Sequence, residues 1–596
     1  MRTNPVRRLR ATVVALATGA LLLTACSSGG GGGPSDGGKD DEATEQGLVA
    51  FGDAAASEGP AEDVKGAQSG GTIRVLQRDS FSTLDPAQIY VSDEMMLSTL
   101  IHRRLTTVKM DNDGEYSVIG DLATDSGQRS DDGKTWTYKL KDGIRFSDGS
   151  PITSKDFRHT FERQFAKFVT EGPIFLQTWL AGSQDYRKAL PDGPYKGDHL
   201  PDSVLETPDD KTIVFHFKEP QNDLPYALAM AGYSVVSEKA DTKEKYAQNP
   251  LTTGPYKIQS FKSGKSMTLV RNTEWDPKTD ASRHQYPDKF EITFNHQYED
   301  SSKRILSDTG ENARAVSFTN GVDAGTMPQV LGDSKVKERV RTGYQIYVAQ
   351  YAINMDRIKD KKVREAIVHA MPIKSVLAPY GGSASGTLAA GVLSPLLPGF
   401  EKDYDPFGKL KKPLGDPEKA RKLLKEAGKE GMKLTYAFNN SSEDQKVSVA
   451  VADALKAAGF DVQRKELPAD TYYDLVGKVD NGFDIYRNNW GHDWVSASTV
   501  IPPLFDGRTI QDGSSNYSHT NDEKVNSEID RISAIADPEK AAKEWWKLQK
   551  YIIEDVTSIV PAYYYKQVQI QGSKIGGAVY NDDLSGVDPT KLYVKQ

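Results

Sequence analysis

The stretch FDIYRNNWGHDW, residues 483–494, carries the side chains best suited to binding chemistry in this chain. It reads as a strand that ends in Trp490, His492, Asp493 and Trp494. In open α/β sheets, ligands sit in the crevice outside the carboxyl ends of the strands. A carboxylate between two indoles pairs with an ammonium and adds cation–π attraction. The same residues would serve as a structural acid capping the next helix, with both tryptophans in the core, and the sequence leaves the two roles open. Catalytic patterns offer no rival. FKSGKS, residues 261–266, ends like a phosphate-binding loop, but Gln259 stands where the first glycine is needed, so it reads as a hairpin turn. GGSASG, starting at Gly381, lacks the glycine spacing of a dinucleotide loop, and neither G-x-S-x-G nor H-E-x-x-H occurs. The nine histidines are scattered without metal-ligand spacing. The acid pairs Asp209-Asp210 and Asp582-Asp583 sit in turn-like contexts and read as solvated. No catalytic residue, metal or cofactor is expected; a hydrolase would need a nucleophile, a base and an orienting third group, and no motif supplies them.

Cys26 is the single cysteine of 596 residues. Arg2, Arg7, Arg8 and Arg10 precede an apolar run, residues 11–23, too short for a comfortable bilayer span and read as a secretory segment. Leu23-Thr24-Ala25-Cys26 resembles the lipobox of bacterial lipoproteins. That resemblance implies removal of residues 1–25 as a signal peptide and a diacylglyceryl group on the Cys26 thiol. Two acyl chains anchor stably where one binds reversibly, so a lipid-anchored protein on the outer side of the cell membrane is expected. One cysteine also excludes an internal disulfide and a cysteine-based zinc site, which leaves core burial to stabilise an exported chain. At 37% hydrophobic residues the chain has the material for several domains, and its net charge of −8 argues against nucleic acid as a partner.

The elements that position these residues follow from local pattern. Residues 27–69 are rich in Gly, Ser, Asp, Glu and Ala and read as a flexible tether from Cys26. Residues 70–76 form an alternating strand. TWTYKL, after the Asp131-Asp132-Gly133 turn, places Trp136, Tyr138 and Leu140 on one face. Thr153 with Asp156 three residues later marks a capped helix start, and Phe157, Phe161 and Phe165 give its apolar stripe. KTIVFHF, residues 211–217, is another strand. Asp416-Pro417 opens a helix that Gly428 ends. Strands at 434–438, 461–467 and 483–488 then alternate with helices at about 444–458 and 470–478, which predicts βαβ units and a mainly parallel sheet.

Several longer blocks occur in a fixed order: GGTIRVLQRDSFSTLDPAQIY, DDGKTWTYKLKDGIRFSDGSPITSKDF, TGPYKI with RNTEWDP, KKVREAIVHAM and DPEKARKLLKEAG. Together they resemble the extracellular solute-binding proteins of family 5, which serve ABC importers of oligopeptides, dipeptides and nickel, and the likeness runs from Gly70 to about Pro561. The resemblance implies an α/β, two-lobed periplasmic-binding-protein type II fold with an extra inserted subdomain. Lobe one would span 70–342 with the insertion at about 113–204, lobe two 343–554, and residues 555–596 would return to lobe one. It implies a binding protein and no enzyme, with a peptide ligand, ABC permease subunits as partners, and a monomeric state. Carried over residue by residue, Asp493 would hold the ligand's α-ammonium, Trp490 would wall the pocket, and Arg487 would meet a peptide carboxylate. Tyr90 and Ser92, and Phe318 to Asn320, would line the ligand's path. His492 departs from the family's usual Ala or Gly; it would narrow the pocket or, protonated, compete for Asp493. A nickel chelate, a sugar oligomer or an opine-like compound on the same fold, and a surface signalling or adhesion receptor, are the alternatives to a peptide.

Overall fold

The computed structural model describes residues 49–596; the expected signal peptide, Cys26 and the first part of the expected tether lie outside the described residues. Two β-sheets organise the two lobes. The first has the strand order Ala315–Val316, Thr72–Leu76, Lys289–Thr293, Ser266–Arg271 and Tyr256–Lys262. The second has the order Gly386–Leu388, Ile559–Ile570, Val340–Ile353, Ile485–Gly491, Lys433–Asn439 and Asp461–Leu467. A four-stranded antiparallel sheet (Gln128–Arg129, Thr135–Lys139, Thr212–His216, Leu205–Asp209) builds the inserted subdomain. This sheet runs on to His216, past the Val204 boundary expected from sequence.

The local expectations are met where short-range physics suffices. Trp136, Tyr138 and Leu140 are buried together. Helix Ser154–Arg163 starts with a capping box in which the Asp156 carboxylate accepts from the Thr153 N–H at 2.9 Å, and Phe157, Phe161 and Phe165 face the core. Asp416 Oδ1 caps helix Pro417–Glu426 by accepting from the Lys419 N–H at 3.1 Å, and Gly428 follows it with φ +64°.

The sheet of lobe two is mixed rather than mainly parallel. Lys433–Asn439 runs parallel to Asp461–Leu467 and to Ile485–Gly491, as βαβ units require. Val340–Ile353 and Ile559–Ile570 are antiparallel to each other because one brings the chain into this lobe and the other takes it back. Their pairing is continuous from Val340 to Tyr344 and resumes at Val348, with an irregularity between. One end of the pair packs with Leu76, Ala315 and Val330 of lobe one through Val568 and Ile570. The other end packs with Leu434 and Tyr436 of lobe two through Tyr351, Val560 and Tyr563. The return strand therefore leaves lobe two near Tyr565, later than the Asp555 expected.

Residues 49–69 also differ from expectation. Ala50–Phe51 pairs in parallel with Tyr116–Gly120, and the Phe51 ring lies 5.0 Å from that of Tyr226. The Tyr226 hydroxyl donates to the Val49 carbonyl at 3.0 Å, and the Lys141 ammonium to the Ser57 carbonyl at 2.7 Å. The stretch docks through these contacts, with Val49 and Ser57 buried against the body. No described helix is long and apolar enough to cross a membrane.

Candidate ligand cleft

Strand Ile485–Gly491 sits inside the lobe-two sheet, between Val340–Ile353 and Lys433–Asn439. Its first four residues are buried, and its last residues emerge at a cavity of about 560 Å³ that Asn489, Trp490, Gly491, His492, Asp493 and Trp494 help to line. That volume falls in the range of small-ligand sites. The opposite wall comes from Tyr90 and from the segment that follows helix Ser92–Ile101, and the floor from Ile346 and Tyr347, where the crossover pairing is interrupted. The cleft thus opens between the two sheets at the carboxyl end of a strand.

Asp493 is the chemical centre. Its Oδ1 accepts from the Tyr90 hydroxyl across the cleft at 2.5 Å, and its own N–H donates to Thr499 Oγ1 at 3.1 Å. Oδ2 is buried with no hydrogen-bond partner among the described residues. Burial pushes this carboxyl up to about 7, and the Tyr90 hydrogen bond only partly offsets it. The capping role left open by the sequence belongs to Ser496, whose side chain accepts from the Ser498 N–H at the start of the next short helix.

The two indoles part company. Trp490 is fixed by its Nε1–H donating to the Thr499 carbonyl at 2.8 Å and keeps part of its surface on the cavity. Trp494 turns into the core between lobe two and the subdomain. Its Nε1–H donates to Asp223 Oδ2 at 3.1 Å, and its ring meets Phe175 edge-on at 4.7 Å. Both indoles line the cavity, but Trp494 is buried and Trp490 only partly so, which makes Trp490 the larger face open to a ligand. His492 is buried, and burial pushes its imidazole down to about 4, so it is neutral and does not compete with a ligand cation.

Four other expected residues sit elsewhere. Ser92 and Asn320 line a second, smaller chamber of about 180 Å³, which shares Tyr347 with the main cavity. The Ser92 hydroxyl lies 3.4 Å from that of Tyr347, and Asn320 Nδ2 donates to the carbonyls of Leu76 (3.3 Å) and His296 (3.2 Å). Phe318 is a lobe-one core residue that lines neither chamber. Arg487 is not on the cavity either. Its guanidinium donates to Asp444 Oδ1 at 2.6 Å and to the hydroxyls of Tyr563 (2.8 Å), Tyr565 (2.7 Å) and Tyr380, and lies 4.7 Å over the Tyr380 ring. Arg487 and Asn489 share one face of the strand, but Arg487 lies in its buried first half, paired with Asp444, whereas Asn489 reaches the cavity.

The cavity also holds charged residues that the sequence reading passed over. Arg104 and Asp583 both line it. Burial pushes the Asp583 carboxyl up to about 6, and Asp582 likewise, so the pair read as solvated is in fact desolvated. The Arg103-Arg104 doublet directly after an apolar helix was the available signal for the first of these. Among the described residues, no cluster of His, Cys, Asp and Glu has the arrangement to hold a metal ion.

Comparison with known proteins agrees with this architecture. A family model described as bacterial extracellular solute-binding proteins, family 5 middle, matches residues 117–512. The probable D,D-dipeptide-binding periplasmic protein DdpA of Escherichia coli is 23% identical over 525 residues, 85% of this chain and 90% of its own length. The periplasmic murein peptide-binding protein MppA of the same organism is 25% identical over 82% of this chain and 86% of its own. Among solved structures, clavulanic acid biosynthesis oligopeptide binding protein 2 superposes with a TM-score of 0.81 at 25% identity, covering 92% of this chain and 99% of that one. The fold is the two-lobed, mixed α/β fold of these binding proteins. The chain belongs to family 5 of the bacterial extracellular solute-binding proteins.

Proposed function

We propose that this family 5 solute-binding protein captures short peptides by their α-ammonium and delivers them to an ABC import permease, held at the membrane by an acylated Cys26. The observation that carries the peptide reading is Asp493 Oδ2: a buried carboxylate oxygen without a partner, beside Trp490, in a cavity of small-ligand size. An ammonium placed there satisfies the oxygen and meets the indole face. Relatives named for dipeptide and murein peptide binding support the same class of ligand. The deciding experiment is mass spectrometry of ligand co-purified with protein lacking residues 1–48. Recovery of peptides is expected; a sugar or a metal chelate in their place overturns the peptide assignment.

The raised Asp493 pKa gives a pH dependence with a definite sign. Between about 4, the value of a solvated aspartate, and about 7, the folded chain holds a proton that the unfolded chain has released. This group's contribution to stability is therefore present at low pH and is lost as pH rises through about 7. Binding runs the other way, because an ammonium requires the carboxylate. At pH 5 only about one molecule in a hundred is ionised at Asp493, and apparent affinity falls with the competent fraction. Free-amine peptides are thus expected to bind tens of fold more weakly at pH 5 than at pH 7 by calorimetry, whereas N-acetylated peptides show no such trend. A flat profile for both would remove Asp493 from the ammonium site.

The anchor is tested separately. Cys26→Ser is expected to leave an unacylated precursor or to release the protein into the medium, since the acyl chains supply the membrane affinity. A processed Cys26→Ser protein that stays in the membrane fraction as fully as wild type rules the anchor out.

A further inference from the structure

Three arginines meet behind the wall that follows helix Ser92–Ile101, and two of them are already paired with acids. Arg103 Nε donates to Asp121 Oδ1 at 2.6 Å, and Arg283 donates to Asp121 Oδ2 at 2.9 Å and to Asp280 Oδ2 at 3.1 Å. Two buried cations thus face two buried acids in a closed set. Arg104 is left over. Its backbone N–H takes Asp121 Oδ2 at 3.1 Å, but its guanidinium donates only to the Ala229 carbonyl and, at 3.5 Å, to the Ser98 hydroxyl. Its Nε is buried without a partner, no carboxylate among the described residues pairs with it, and the residue is 7% exposed.

We propose that Arg104 is the anchor for a carboxylate on the ligand, so that the cleft takes a short peptide free at both ends. This rests on the peptide reading above. Arg104 and Asp493 line one cavity, and each has a buried polar atom that the protein leaves unpaired. A buried charge without a partner is costly, and a carboxylate matches the planar donor fork of a guanidinium. Burial and the Arg283 charge lower the Arg104 pKa, but only to about 10, so it stays cationic wherever the protein works. The other charged groups on the cavity do not replace the ligand. Asp588 is engaged by the Thr590 hydroxyl at 2.6 Å, Arg283 by its two acids, and Lys109 is a point charge without the fork. Asp583 attracts Arg104 without reaching ion-pair distance. With both ends fixed, a volume of about 560 Å³ limits the ligand to a few residues.

The test uses a randomised tripeptide library, its C-terminally amidated copy and its N-acetylated copy, with binding read by calorimetry on the mature protein. Wild type is expected to bind the free acids at least thirtyfold more tightly than the amides. In Arg104→Gln that preference should vanish, with both libraries bound at the amide level, while the penalty for N-acetylation persists. Equal binding of acids and amides by wild type overturns the assignment without needing any variant to fold. So does an Arg104→Gln protein that still prefers the acids. If no library binds at all, the peptide reading itself fails, and the Arg104 assignment falls with it.

Discussion

Asp493→Asn is expected to weaken binding of free-amine peptides at least a hundredfold at neutral pH, and to leave N-acetylated peptides almost unaffected. The carboxylate and the ligand ammonium would meet in a cavity closed by Tyr90 on one side and Trp490 on the other. Removing one partner of a buried pair costs about 3–5 kcal/mol, because the other charge stays desolvated and alone. Asparagine keeps the shape, and its Oδ1 still accepts from the Tyr90 hydroxyl, so only the charge is lost. Stability at neutral pH should rise rather than fall, because burial of this carboxyl opposes its ionisation and asparagine carries no charge to desolvate. The decisive measurement is a cycle of mutation against acetylation, in which the coupling energy isolates the contact. Additive effects would show that Asp493 does not touch the amine. A loss of stability of about 0.5–2 kcal/mol with no dependence on the amine would restore a capping role.

The second large effect falls on folding. Arg487→Met is expected to destabilise the protein by about 3–5 kcal/mol, because it strands Asp444 as a buried acid without its cation. Urea denaturation of the unliganded protein measures this, and Asp444→Asn should cost a similar amount. The double variant should cost clearly less than the sum of the two, since each single change removes the same pair. Where an Arg487→Met protein still folds, its preference for free acids over amides should survive. A variant of normal stability that loses that preference would return Arg487 to the role of carboxylate anchor and contradict its place among Asp444 and the tyrosines. The three tyrosines around it give the cluster a further purpose: Tyr565 bonds both Arg487 and Asn489, so the paired cation also helps to fix a residue on the cavity wall.

What the sequence determined alone is what depends on near neighbours along the chain. The Thr153–Asp156 capping box, the Asp416 cap, the buried alternation of Trp136 and Tyr138, and the strand–helix alternation around Lys433–Asn439 were legible because each rests on contacts within a few residues. Asp493 was legible as a candidate for the same reason, since an acid just beyond a strand end is placed by the strand itself. The tertiary structure decided which charges are satisfied. Tyr90 and Asp493 are 403 positions apart, and their bond exists because the crossover strands bring the lobes together. Arg487, Arg104 and Asp583 look alike in sequence to any charged residue near a turn. Arg487 is paired with Asp444 and bonded by three tyrosines, Arg104 lines the cavity without a carboxylate partner among the described residues, and Asp583 is desolvated at the cavity edge. The free energy of a charge depends on burial and on partners within a few ångströms, and both are set by long-range packing that no local pattern encodes.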